Sequence, residues 1–269
     1  MQKSILLAVF SIAVLSCKTE KKTEKSEPVA DTEVKADDWI YLFDGSSLEG
    51  WRGYNGKTMP PGWVIEDSVL TFKTDLGLEK LDSEEAYEGG KDIIYAAEEF
   101  DNFELYLEWK LPEGGNSGIF YHLKEGYNGP PEVSPEYQLI DDENYAKMHE
   151  KSLTEYNKSL GYTEKPEELK PLQQTGADYA MHPAPANKTL HPIGEWNSSK
   201  IVFTPEKVEH WLNGEMLFSF VPWDDDWQEK KNSDKWKNSE DYGKYESGFI
   251  GLQDHASPIW FRNIKIKKL

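Results

Sequence analysis

Period-two hydrophobicity dominates residues 39–269 and helical periodicity is scarce, so the sequence predicts an all-β domain of two packed antiparallel sheets. Three observations carry this reading. Residues 103–111 alternate strictly, with Phe103, Leu105, Leu107, Trp109 and Leu111 on one face. Asn213 and Gly214 separate two short apolar runs, the signal of a two-residue type I′ hairpin. Many further short runs follow at fairly regular spacing, which suits a sandwich and not a helical bundle.

Taken in order, the predicted strands begin with Trp39–Phe43. Trp63–Ile65 and Val69–Phe72 then flank a hairpin turn at Glu66, Asp67 and Ser68. The strand over 103–111 is followed by Ser117–His122 and Glu136–Ile140. After these come Ile201–Phe203, Lys207–Leu212, Met216–Phe220, Gly248–Gln253 and Ile259–Ile266. Two polar stretches interrupt the pattern. Residues 142–193 contain prolines and a short predicted helix near Glu143–His149. Residues 222–244 are rich in Trp, Asp and Lys, and a second short helix is predicted there. Loops this long in a compact domain are commonly functional. Their aromatic residues favour ordered caps over one end or face of the sandwich.

The N-terminus has a different character. Lys3 precedes an apolar run from Ile5 to Leu15, too short for a permanent membrane span and suited to the core of a signal peptide. Cys17 is the single cysteine of 269 residues, so no intrachain disulfide is possible. It directly follows Val14, Leu15 and Ser16, an arrangement that resembles the lipobox of bacterial lipoproteins. Residues 1–16 are therefore expected to be removed and Cys17 to carry a lipid. Residues 17–38, rich in Lys, Glu, Asp and Thr, have too little apolar content to offset the entropy of ordering. They are expected to tether residues 39–269 to a membrane, on its periplasmic or cell-surface side.

Composition narrows the partners. A formal net charge of −19 argues against nucleic acid, which requires a basic footprint. Aromatic residues make up 13% of the chain, enough for both a core and a sugar-stacking surface. No phosphate-binding glycine loop, no GxSxG elbow and no cysteine-based site is present. His149, His182 and His191 lack a ligand spacing such as HExxH.

Several segments together resemble one family. They are LFDGSSLEGW at 42–51, FELYLEW at 103–109, GNSGIFYH at 115–122, EYQLIDD at 136–142, GEWN at 194–197, HWLNGE at 210–215, and GFIGLQDH at 248–255 with FRNI at 261–264. This order is similar to that of the 3-keto-disaccharide hydrolase family. The resemblance implies a concanavalin A-like jelly-roll sandwich with long loops and a few short helices. It also implies an enzyme that cleaves glycosides already oxidised at C3. A C3 ketone acidifies the C2 proton, a base removes it, the C1 aglycone leaves, and water adds back. Such a site needs a base, an electrophile near the C3 oxygen and an acid for the leaving group. A non-catalytic, lectin-like glycan binder is the alternative, because one sandwich hosts both activities.

The candidate residues follow from strand period and from these motifs. Glu136 and Gln138 share a strand face with Ile140, while Tyr137, Leu139 and Asp141 fall on the other. Glu136 or His255 is the expected base, and His122 is a further acid/base candidate facing the same cleft. Gln138, Asn116, Asp141, Gln253, Lys124 and Trp223 are expected to contact substrate. For several of these a structural role is also open: an Asx turn for Asn116, a cap or metal ligand for Asp141 and Asp142, core packing for Trp223 and Trp227. Arg262 and Asn263 are expected to anchor the last strand. No cofactor is assigned. A divalent metal such as Ca²⁺ is compatible with the carboxylates, but Asp224, Asp225 and Asp226 lack the EF-hand spacing.

Overall fold

The computed structural model describes residues 38–74, 91–162 and 166–269. The expected signal peptide, Cys17 and the tether up to residue 37 lie outside the described residues.

Among the described residues thirteen strands form two antiparallel sheets. The larger sheet contains β1 (Ile40–Phe43), β3 (Trp63–Glu66), β4 (Val69–Phe72), β6 (Phe103–Lys110), β9 (Asn197–Thr204), β10 (Lys207–Leu212), β11 (Glu215–Phe220) and β13 (Ile259–Lys268). Its order is β11-β10-β9-β6-β13-β4-β3, with β1 also paired to β13. The smaller sheet contains β2 (Trp51–Gly53), β5 (Ile93–Phe100), β7 (Asn116–Leu123), β8 (Glu136–Ile140) and β12 (Gly248–Leu252), in the order β2-β5-β12-β7-β8.

The core lies between the sheets and follows the sequence period. Phe103, Leu105, Leu107 and Trp109 of β6 are buried alternately and meet Ile119, Tyr121, Tyr137, Leu139, Ile250 and Leu252 of the smaller sheet. In β13 the inward residues are Ile259, Phe261, Ile264 and Ile266. The three-residue step from Phe261 to Ile264 breaks the period, and a bulge restores it: Arg262 pairs with Glu108 but Lys265 with Tyr106, so one extra residue is inserted. Asn263 takes a left-handed φ of 52° at that point. Arg262 Nε and Asn263 Nδ2 both donate to Glu108, at 2.6 and 2.9 Å, so this pair anchors the last strand as predicted. Asn213 and Gly214 form their tight turn with φ of 49° and 82°, the signs a type I′ turn requires.

Three elements escape the period-two reading. β2 is only three residues long. β5 (IIYAAEEF) does not alternate because its middle falls out of register with β12: Gly248 pairs with Phe100, but Ile250 pairs with Tyr95. The helix expected at Glu143–His149 is a single turn, α1 (Tyr145–Met148), followed by the longer α2 (Glu150–Ser159). Within α2 the buried positions are Leu153 and Asn157, too thin an apolar stripe to read from sequence. The helix expected within 222–244 is α3 (Asp225–Lys231), capped by the Asp224 side chain, which accepts from Trp227 N at 2.8 Å.

Leu107 lies at the centre of this core, fully buried on β6. Leu107→Ala should lower the unfolding free energy by about 2–5 kcal/mol. Denaturant titration followed by tryptophan fluorescence measures the change, and a loss under about 1 kcal/mol would contradict the packing described.

Candidate active site

The smaller sheet has two occupied faces. Tyr137 and Leu139 point into the core, so the alternation of β8 sends Glu136, Gln138 and Ile140 to the opposite face. Across β7 these stand beside Phe120, Gly118 and Asn116. Every residue of β7 and β8 is buried: Tyr145, Leu153, Tyr156 and Tyr179 close over the part that carries Glu136 and Gln138, and Tyr54 and Val133 pack with Phe120. The return is fixed by main-chain bonds along the outer edge of β8. Gly176 N donates to Gln138 O at 2.9 Å, Gln138 N to Ala177 O at 3.1 Å, and Tyr179 N to Glu136 O at 2.9 Å.

Between sheet face and covering segment lies a cavity of about 440 Å³. Its sheet wall carries Asp92, Asn116, Glu136, Gln138 and Gln253. The facing wall carries Tyr145, Leu153, Tyr156, Tyr179 and Lys235, and His255 stands at the exposed rim. Tyr179 Oη donates to Tyr156 Oη at 3.0 Å. The Lys235 ammonium lies 4.2 Å from the ring centre of Tyr179, 4.3 Å from that of Trp236 and 5.5 Å from that of Tyr156.

Electrostatics single out Glu136. It is 4% exposed, and among the described residues nothing hydrogen-bonds its carboxylate. Loss of water drives its pKa upward; the negative charges of Asp92 and Asp178 add to this, and Lys235 opposes it. Burial drives the Lys235 pKa down, against the pull of Glu136. Asp92 is pushed up to about 7 by burial, with Asp254 contributing, although it accepts from Asp254 N at 2.8 Å. Among the described residues the buried amide oxygens of Asn116 and Gln253 have no partner. The unsatisfied groups on the sheet wall are therefore acceptors, and a ligand that fits them presents several O–H donors.

Five of the sequence candidates, Glu136, Gln138, Asn116, Gln253 and His255, come together here. Four others do not, each for a local reason. Strict alternation would put His122 on the cavity face, but its left-handed φ of 51° turns the ring into the interior. There it lies 4.1 Å from the ring of Phe203, its Nε2 is 2.8 Å from Asp101 O, and burial holds its pKa down to about 4. Lys124 pairs with Glu99 at 2.5 Å. Trp223 packs against Phe203 and donates to Gly243 O at 2.6 Å. The Asp141 carboxylate accepts from Gly114 N, Glu143 N, Asn144 N and Asn144 Nδ2, which commits it to the turn that enters α1. Asp142 is held by Lys188 at 2.9 Å and Thr175 N at 2.8 Å, and Trp227 is packed beside Trp236 and Tyr242. Among the described residues no three of His, Cys, Asp and Glu come together as a metal-ligand set.

Sequence reasoning missed Asp92, Tyr156, Tyr179, Lys235 and Gly118. Asp92 immediately precedes β5, itself unpredicted. The two tyrosines and Lys235 belong to the long segments, where no period places a side chain. Gly118 had a readable signal, as an isolated glycine inside a strand marks a close approach. A Cβ built there would lie 2.2 Å from Glu136 Oε1, so the carboxyl group lies directly over the glycine. Gly118→Ala should displace Glu136 and reduce any turnover that depends on this carboxyl group far more than stability. A variant whose turnover equals that of the unmodified protein would show that the carboxyl position is unimportant.

Comparison with known proteins agrees with this architecture. Residues 38–267 match the family model described as the 3-keto-alpha-glucoside-1,2-lyase-like domain. A 3-keto-disaccharide hydrolase of Bacteroides thetaiotaomicron is 34% identical over 256 residues, covering 88% of this chain and 80% of that protein. A proposed glycosyl hydrolase from Parabacteroides distasonis superimposes with a TM-score of 0.71 at 36% identity, covering 86% of this chain and 94% of that one. A second such protein from the same organism gives 0.56 at 25% identity, covering 86% and 99%. With the family model spanning almost all of residues 39–269 and the sandwich shared with these structures, the chain belongs to the 3-keto-alpha-glucoside-1,2-lyase-like domain family.

Proposed function

We propose that this protein is a hydrolase of 3-keto-glycosides, with the cavity over β7 and β8 as its active site. The observation that carries the proposal is the buried Glu136 carboxylate, which among the described residues has no hydrogen-bond partner and stands beside the likewise unpartnered amide oxygens of Asn116 and Gln253. Those oxygens accept sugar hydroxyls and set the ring against the sheet. A carboxylate stripped of water and raised in pKa is a stronger base than an exposed one. Glu136 removes the C2 proton, acidified by the neighbouring ketone, and charge moves toward the C3 oxygen. The C1–O bond to the aglycone then breaks, and water adds to the resulting C1=C2 double bond. This chemistry needs a base, an electrophile and a proton donor for the leaving oxygen, not the pair of carboxylates at fixed separation that an oxocarbenium mechanism uses.

Two results follow for activity. Glu136→Gln should reduce turnover of a 3-keto-glycoside by about 10²–10⁴-fold while the protein stays folded. In the unmodified protein kcat/KM should rise with pH through neutrality, because the base works only when ionised and its pKa is raised. An ordinary glutamate would place that limb near pH 4–5. Aglycone release from the keto form and from its unoxidised parent, measured across pH, is the test. Release from neither would favour the glycan-binding reading, and an unaffected Glu136→Gln variant would remove this residue from the chemistry.

We further propose that residues 1–16 are a signal peptide that is removed and that Cys17 carries a lipid. Cys17→Ala should abolish incorporation of labelled palmitate and shift the protein from the membrane to the soluble fraction. Retained label would place the modification elsewhere.

A further inference from the structure

We propose that Lys235 is a covalent catalyst that forms an iminium with the C3 carbonyl of the substrate. This rests on the reading of the substrate as a 3-keto-glycoside. The placement of Lys235 is unusual for a lysine in so acidic a chain. Its amine lies in the wall of the Glu136 cavity and contacts the faces of Tyr179, Trp236 and Tyr156. Among the described residues no carboxylate lies within ion-pair distance of it; Glu136 acts on it only through the field. The main chain is held to deliver it. Asp234, the preceding residue, takes a left-handed φ of 46°, a region that aspartate enters more readily than most residues, and its carboxylate accepts from Tyr162 Oη at 2.9 Å. Trp236 on the other side is 3% exposed and stacks on Tyr242 with centroids 4.0 Å apart. A lysine that merely covered surface would need neither anchor.

Desolvation in such a pocket favours the neutral, nucleophilic amine over the ammonium ion. The lowered pKa of Lys235 is in keeping with this. The amine adds to C3, and with one proton taken up the carbonyl oxygen leaves as water, giving the iminium C3=N⁺H–Lys235. The iminium is a stronger electron sink than the ketone. Glu136 takes the C2 proton, and the C2–H electron pair forms the enamine. That pair then moves to form C1=C2 as the C1–O bond breaks, restoring the iminium, and the leaving oxygen takes up a proton. Water adds to C1, C2 regains a proton, and a second water hydrolyses the iminium to free Lys235 and the 3-keto sugar. The sum is one water consumed and one glycosidic bond broken, with no oxidant or reductant.

The test uses the full chain with a 3-keto-glycoside and sodium cyanoborohydride, which reduces an iminium to a stable amine. The expected result is a protein mass increased by one reduced sugar unit, located by a missed tryptic cleavage at Lys235. The adduct should be absent from Lys235→Arg, which keeps a positive charge and should lose turnover while retaining the unmodified protein's thermal midpoint. Turnover without an adduct, together with an active Lys235→Arg variant, would overturn the covalent role and leave the proposed function standing. Absence of turnover by the unmodified protein would overturn both.

Discussion

A carboxylate can be held out of water only where its surroundings compensate, and the Glu136 side of this protein is organised around that requirement. Burial raises the free energy of the ionised form, and the nearby charges of Asp92 and Asp178 raise it further. Lys235 is the opposing charge, and it is itself partly stripped of water. The result is a pair of groups that are each less comfortable in their charged forms than they would be in solvent. Such a site persists because the sandwich supplies a large apolar core elsewhere, with Leu107, Ile93, Ile264 and Phe261 fully enclosed.

The geometry that makes this possible is a sheet used on both faces. An antiparallel sheet in a sandwich usually turns one face to solvent, but here Tyr145, Leu153, Tyr156 and Tyr179 cover the part that carries Glu136 and Gln138. Tyr137 and Leu139 hold the sheet to the core, while Glu136 and Gln138 of the same strand line the cavity. The rigidity that packing gives one face is thereby transmitted to the other, over a single residue step. Gly118 completes the arrangement by leaving room above β7 for the Glu136 carboxyl group. The covering segment docks through main-chain bonds to the β8 edge, so the wall bearing Tyr179 is tied to the strand bearing Glu136.

The wall opposite the sheet comes from separate parts of the chain. Tyr156 and Tyr179 belong to the first long segment, and Lys235 to the second, after α3. Their rings and amine form a contiguous, largely apolar surface facing the acceptor groups of the sheet. A sugar ring, with apolar C–H faces and a polar rim, fits between such walls. The fold alone does not impose this; the loops do.

Local sequence was sufficient for much of the architecture. Alternation in 103–111, the Asn213–Gly214 turn and the EYQLIDD segment made strands legible, along with the face on which Glu136 and Gln138 stand. These follow from a period of two residues, which depends only on backbone geometry. The family motifs likewise pointed to Asn116, Gln253 and His255. What tertiary structure alone decided is which side chains meet. His122 left the cleft through one left-handed residue, and Asp141 was consumed by four donors in the turn before α1. Lys235 lies 99 positions from Glu136 in the chain, and Asp92 precedes a strand whose pattern is broken by a register shift. No local period reports a meeting of that kind, because it is set by where long loops return and by the field that burial creates there.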